Sequence, residues 1–275
     1  MNSATYKEKS ENLHCLKRET EALEALEQAI TLKPNSDHFY RQKAEILASL
    51  RRYDEALIAY DQAIRLDPDN DYSYWAKARF LSQLGRDEDV LATHDQFIER
   101  FPAVFKGYQE KLFFLSKRQR YEDGLKICDT YLQQHPHQAQ AYEWKGRLLS
   151  HLNRPEEALL FYEEVIRLQP QDEDAYTAKA EALVKLKRYD EALSTFDQAL
   201  QVAPDEVEIS KKKGRLLIEL KHYEEALPIW QKAARLDTKD ASLQDTIGDI
   251  LRELGHYEEA IQTYNRAIGS ILSGV

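Results

Sequence analysis

The chain has 275 residues, 43% hydrophobic and 31% charged, with nine Gly and eight Pro, the composition of a folded soluble chain rather than a collagenous or low-complexity one. Its 38 Lys and Arg stand against 48 Asp and Glu, and a net charge of -10 argues against a protein built to coat nucleic acid or an anionic membrane. Two cysteines exclude a disulfide framework, the first thirty residues lack the zones of a secretory signal, and no apolar run reaches membrane-spanning length, so a cytoplasmic address is expected.

Six of the prolines, Pro34, Pro68, Pro102, Pro136, Pro170 and Pro204, follow one another at intervals of 34 residues. A fixed period of that kind marks a repeat architecture. With the proline at position 32, the repeats span 3–36, 37–70, 71–104, 105–138, 139–172, 173–206, 207–240 and 241–274. The expectation is one array over 3–274, without a linker or second domain. In the second repeat Tyr40, Lys43, Ala44, Leu47 and Leu50 recur at helical spacing, Arg51 and Arg52 form a turn, and Tyr53, Ala56, Tyr60, Ala63 and Ile64 make a second helix. Pro68 then ends that helix, because proline disfavours helical geometry before it and donates no backbone hydrogen bond. Such a hairpin buries its apolar face only by stacking on its neighbours, which predicts an all-α solenoid.

Acidic pairs such as Asp54-Glu55, Glu122-Asp123 and Asp190-Glu191 open each second helix from the second repeat on, and are expected to cap it and to favour its dipole. The tyrosines at position 4, Tyr6, Tyr40, Tyr74, Tyr108, Tyr142 and Tyr176, read as packing residues. Position 7 is Lys9, Lys43, Lys77, Lys111, Lys145, Lys179 and Lys213, and position 25 carries Glu27, Asp61, Asp95, Asp129, Glu163 and Asp197. Stacking sets each acid beside the lysine of the next repeat, which predicts six ion pairs; both charges vanish together at Gln231 and Ile247. In repeat 4, Leu112 and Gly124 exchange bulk between positions 8 and 20, and Phe97 and Tyr131 at position 27 predict wider junctions. Ile261, Tyr264 and Ile268 need cover from Ile271 and Leu272, from another subunit through the C-terminal end, or from further sequence.

An aromatic at position 4, a small residue at 8, Leu at 11, Tyr at 17, Ala at 20, an aromatic at 24, Ala at 27 and Pro at 32 resemble the tetratricopeptide repeat. Repeat 6 carries the set in full: Tyr176, Ala180, Leu183, Tyr189, Ala192, Phe196, Ala199 and Pro204. The resemblance covers eight tandem helix-turn-helix units and implies a right-handed superhelix whose first helices line a concave groove. Variable residues at positions 2, 5, 9, 12 and 13 would bind a partner peptide there. The chaperone-binding carboxylate clamp of that family is not matched, since Lys7 is followed by Glu11 and Arg41 by Glu45 where asparagine is needed.

No phosphate loop, zinc helix, paired CxxC or nucleophile elbow is present, so no catalytic residue, metal or cofactor is expected. His135 and His137 read as turn residues, and Cys15 and Cys128 as free thiols. Over repeats 3 to 5 the groove positions hold Arg79, Lys106, Lys117 and Arg147 against Glu143, a net of +3, beside Tyr72, Trp75, Phe113 and His151. Arginines and aromatics are the usual anchors of an interface, and Ser82, Ser116 and Ser150 leave room for a ligand backbone. The reading is a non-catalytic protein-interaction scaffold whose partner segment carries acidic groups beside an apolar anchor. The competing reading is a self-associating structural array, or the excised repeat region of a larger regulatory protein.

Overall fold

The computed structural model describes residues 2–273, with side chains through Ile268. Sixteen helices and no strand occur among the described residues. The first eight are α1 (Ser3–Cys15), α2 (Glu19–Leu32), α3 (Asp37–Ser49), α4 (Tyr53–Leu66), α5 (Asp71–Gln83), α6 (Asp87–Arg100), α7 (Phe105–Lys117) and α8 (Tyr121–Gln134). The rest are α9 (Ala139–His151), α10 (Pro155–Leu168), α11 (Glu173–Lys185), α12 (Tyr189–Val202), α13 (Val207–Glu219), α14 (Tyr223–Leu236), α15 (Ala241–Glu253) and α16 (Tyr257–Ser273). The odd-numbered helices begin 34 residues apart, and the fold is an all-α helical-repeat solenoid. Two compact units make up the chain, Met1–Phe114 and Leu115–Val275, their boundary falling within α7. Leu13, Leu26, Phe39, Leu47, Tyr60 and Phe80 belong to one continuous core of the first unit, and Leu217, Trp230, Leu243 and Ile250 to one of the second. No helix among the described residues is long and apolar enough to cross a membrane.

The turn inside each hairpin is a left-handed stop. Arg51 has φ 60°, its N–H donates to Ala48 O, and the Arg52 N–H donates to Leu47 O, which closes the carbonyl end of α3. Lys17, Gln119, Asn153, Lys187 and Lys221 repeat this conformation, while Gly85 and Gly255 fill it in two other hairpins. Side chains other than glycine are strained there by roughly 1 kcal/mol. Lys187→Gly is therefore expected to raise stability by about 0.5 to 1 kcal/mol, read from urea unfolding; an unchanged or lower midpoint refutes it.

Between hairpins the proline is not the only stop. Helix α14 ends at Leu236, in register with its counterparts, although position 32 is Thr238 there. Asp237 takes over: its Oδ1 accepts from the N–H groups of Lys239 and Asp240, which fixes the turn without proline. Tyr74, Tyr142 and Tyr176 do more than pack, since each hydroxyl donates to the carbonyl of the proline six residues earlier.

Capping by the acidic pairs takes a different form from the one expected. The N-caps of α2, α4, α6, α8, α10 and α12 are arginines that make no side-chain capping bond. Arg52 instead grips Glu55 with Nε and a terminal nitrogen at 2.7 and 2.6 Å, and Arg18–Glu21, Arg154–Glu157 and Arg188–Glu191 do the same. The acids still lie in the first turn, where the helix dipole favours them.

All six lysine–acid pairs form. Nitrogen–oxygen distances are 2.9 Å for Lys43–Glu27, 2.7 Å for Lys77–Asp61, 2.6 Å for Lys111–Asp95, 2.5 Å for Lys145–Asp129, 3.0 Å for Lys179–Glu163 and 2.5 Å for Lys213–Asp197. The lysine side chains are mostly covered while their acids are about half exposed, as expected of methylenes laid on an apolar face with the charge at its rim.

Bulk is matched between partners. A Cβ on Gly146 would lie 2.6 Å from the Tyr162 ring, and one on Gly214 would collide with Trp230. Where position 24 is Tyr60 or Phe196, position 8 is the fully buried Ala44 or Ala180. The same matching answers the extra volume of Phe97: a Cβ on Gly107 would lie 2.6 Å from its Cδ1, so a missing side chain makes room for the ring. Leu112 and Gly124 are both buried, within helices of ordinary length.

Candidate functional site

Five of the eight groove residues anticipated from the sequence belong to the first unit and three to the second. In the first, Tyr72 is half exposed, and the Arg41 guanidinium lies 5.0 Å above its ring. Arg41 is held in turn by Asp37 Oδ2 at 2.7 Å and by Ser73 Oγ at 3.1 Å. Trp75 is half-buried, with its ring centroid 4.7 Å from Phe97 and 5.5 Å from His94. Lys106 comes from the following repeat to sit 5.8 Å from the centre of the Trp75 ring. Its ammonium is also 2.6 Å from Asp71 Oδ2, and this hydrogen bond holds the Asp71 carboxyl below its ordinary range. Phe113 is half exposed on α7.

Arg79 differs from Lys106. It is exposed on α5 and makes no ion pair among the described residues. It borders a cavity of about 400 Å³ between α3, α4 and α5, walled by Ala48, Tyr53, Ala76 and Phe80 and also reached by Glu45 and Tyr60. Burial pushes the Tyr60 phenol up to about 12, so it stays protonated and able to donate at neutral pH.

In the second unit Lys117 is exposed at the end of α7, and Arg147 lies 2.9 Å from Glu143. Burial raises the pKa of Glu143 against the opposing pull of Arg147. His151 stacks on Tyr121 with ring centroids 5.0 Å apart and planes at 4°. Ser150 Oγ lies 3.1 Å from Tyr162 Oη, so this serine is engaged within its own hairpin.

One of these contacts reduces the local positive charge counted from groove positions. Lys106 is neutralised by Asp71, which stands at position 1 and escapes a count over positions 2, 5, 9, 12 and 13. Arg147 is paired with Glu143, which the net of +3 already includes. Sequence reasoning met Arg41 and Glu45 only as a failed clamp and Tyr60 only as a helix-packing residue; the signal for the last was Ala48, which stands where repeat 5 has Ser150.

Cys15 is exposed and Cys128 buried, both as free thiols. No group of three or more metal-ligating side chains occurs among the described residues.

Comparison with solved structures shows the same architecture in distant proteins. The C-terminal part of a TPR repeat-containing protein from Cytophaga hutchinsonii is 14% identical, with a TM-score of 0.60, covering 86% of this chain and 98% of that one. MamA from Desulfovibrio magneticus RS-1 is 19% identical with a TM-score of 0.53, covering 61% of this chain and 95% of its own. Another MamA structure is 13% identical with a TM-score of 0.54, over 59% of this chain and 89% of the other. No curated protein matches the chain significantly. Tetratricopeptide repeat profiles match residues 20–71, 115–182, 153–216, 183–246 and 241–271. Repeats of this kind generally serve as non-catalytic scaffolds for protein–protein interaction, and the chain belongs to the tetratricopeptide repeat family.

Proposed function

We propose that this chain is a cytoplasmic, non-catalytic scaffold of eight repeats over 3–274 that holds a partner segment bearing acidic groups beside an apolar anchor. The observation that carries this reading is Arg79, an exposed guanidinium without an ion pair among the described residues, bordering a cavity of mixed lining one turn from Trp75. A guanidinium in that state can take a carboxylate with two hydrogen bonds without first giving one up. Arg147 and Lys106 are weaker anchors because each must leave its own carboxylate. Tyr72, Trp75 and Phe113 supply apolar surface on the first unit, and Lys117, Arg147 and His151 lend charge and an aromatic face on the second.

Selection from a displayed random-peptide library tests this. Enriched peptides are expected to carry Asp or Glu next to an apolar residue, and Arg79→Glu to weaken them by about tenfold or more. Enrichment without acidic residues, or indifference to Arg79→Glu, refutes the reading. A second reading, association with another copy through α16, is favoured by Ile261 and Ile268, which are 60% and 55% exposed where Leu159 and Ala234 at the same repeat positions are buried. Ile271 and Leu272, expected to cover them, have side chains outside the described residues. Sedimentation equilibrium of the Ile261→Lys variant against the parent chain decides between a monomer in both cases and a dimer lost on substitution.

A further inference from the structure

Position 24 holds a tyrosine in three repeats, and the hydroxyls differ in what they meet. Tyr162 Oη lies 3.1 Å from Ser150 Oγ, and Tyr264 Oη donates to Asp249 Oδ1 at 2.8 Å. Tyr60 has no such partner. Position 12 of its repeat is Ala48 rather than serine, and Tyr60 makes no hydrogen bond among the described residues. The residue is only 3% exposed, yet its hydroxyl is not among the fully enclosed polar atoms that lack partners. Tyr60 is one of the residues that line the cavity between α3, α4 and α5.

That cavity has the size of a small-ligand pocket and a mixed wall. Tyr53 and Tyr60 both pack against Phe80, with ring centroids 6.0 and 5.7 Å away, which gives an aromatic side, and Ala48 and Ala76 keep the interior open. Glu45 and Arg79 reach it from α3 and α5 respectively, neither in an ion pair among the described residues. Glu45 repels a carboxylate inside the cavity, so the lining favours a neutral occupant there. Tyr60 offers a donor and Glu45 an acceptor, and a group matching both must accept and donate at one tip. An aromatic side chain with a hydroxyl meets all of these conditions: a flat apolar body for the tyrosine and phenylalanine walls, and a phenol that accepts from Tyr60 while donating to Glu45.

We infer that the cavity between α3, α4 and α5 is a receptor for a tyrosine side chain of the partner segment. This rests on the groove reading above and names its apolar anchor, leaving Arg79 at the rim for the acidic neighbour of that tyrosine. The row of position-12 residues acquires a meaning: the serine that satisfies Tyr162 from within its own hairpin is missing beside Tyr60, and a ligand hydroxyl takes its place.

The test is titration with N-acetyltyrosinamide and N-acetylphenylalaninamide, followed by methyl NMR at Ala48 and Ala76. Saturable shifts are expected with the tyrosine probe, and about fivefold or weaker binding with the phenylalanine probe. Tyr60→Phe and Glu45→Gln should each erase most of that preference. Ala48→Ser should weaken the tyrosine probe by a similar factor, because it hands Tyr60 an internal partner. Retained helical circular dichroism in each variant certifies the fold, and Tyr60→Phe keeps the buried ring. Absent or non-saturating shifts at both methyls, or equal affinity for the two probes in the parent chain, overturn the inference. Failure here with Arg79-dependent peptide enrichment intact removes the tyrosine receptor alone; a specific tyrosine site together with peptides indifferent to Arg79→Glu removes the acidic-partner reading instead.

Discussion

Gly214→Leu is expected to destabilise the second unit by about 3 kcal/mol, because overpacking a closed hairpin forces backbone and rotamer strain. A Cβ at this position would collide with Trp230 Nε1 and lie 2.9 Å from both Cδ1 and Cε2 of the same ring, which is 3% exposed and has no room to retreat. Leucine itself is not foreign to the position, since repeat 4 carries the fully buried Leu112 there and Cys128 at position 24. The double substitution Gly214→Leu with Trp230→Cys copies that combination. A double-mutant cycle by urea unfolding should show a favourable coupling of about 2 kcal/mol, the two losses together being smaller than their sum. Strict additivity would show that the ring and the glycine are not matched to each other.

Lowering the pH from about 6.5 to about 4 is expected to remove about 3 kcal/mol of stability through His94 alone. Its ring is 5% exposed, its Nδ1 has no partner, and the rings of Trp75 and Phe114 lie beside it with centroids 5.5 and 6.5 Å away. Burial, reinforced by the Lys111 charge and opposed by Asp95, pushes the imidazole down to about 4 from the ordinary 6.5. Between those values the unfolded chain binds a proton that the native chain refuses. Stability is therefore full above about 6.5, declines as pH falls, and takes no further loss from this residue below about 4. His94→Phe places at position 24 a side chain already used there as Phe196, and should flatten the decline. An unchanged pH slope in His94→Phe would assign the acid sensitivity to other groups.

Helix order and phase were legible because the spacing of prolines and position-4 aromatics sets where each hairpin begins. The lysine–acid ladder was legible for a second reason: two sequence columns lose charge at the same junction. Other features depend on three-dimensional neighbours that no column displays. Asp71 lies 35 residues before the Lys106 it neutralises, and a charge count restricted to groove positions misses it. Arg52 stands at an N-cap where serine or aspartate would be ordinary, and only the fork on Glu55 explains it. The unpartnered hydroxyl of Tyr60 reflects a deletion, the serine hydroxyl missing at Ala48, and a missing atom leaves little trace in a pattern built from residues that are present. His94 occupies an aromatic position, so its lack of a hydrogen-bonding partner was hidden behind an ordinary packing role.

Each ladder pair joins residues sixteen apart in the chain. Contacts so close in sequence cost little loop-closure entropy, and topologies dominated by them fold quickly. A hairpin leaving the ribosome needs only the next first helix before its outer acid finds a lysine. The array is thus suited to growing one unit at a time behind the synthesis front, each newly docked helix fastening the one made before it.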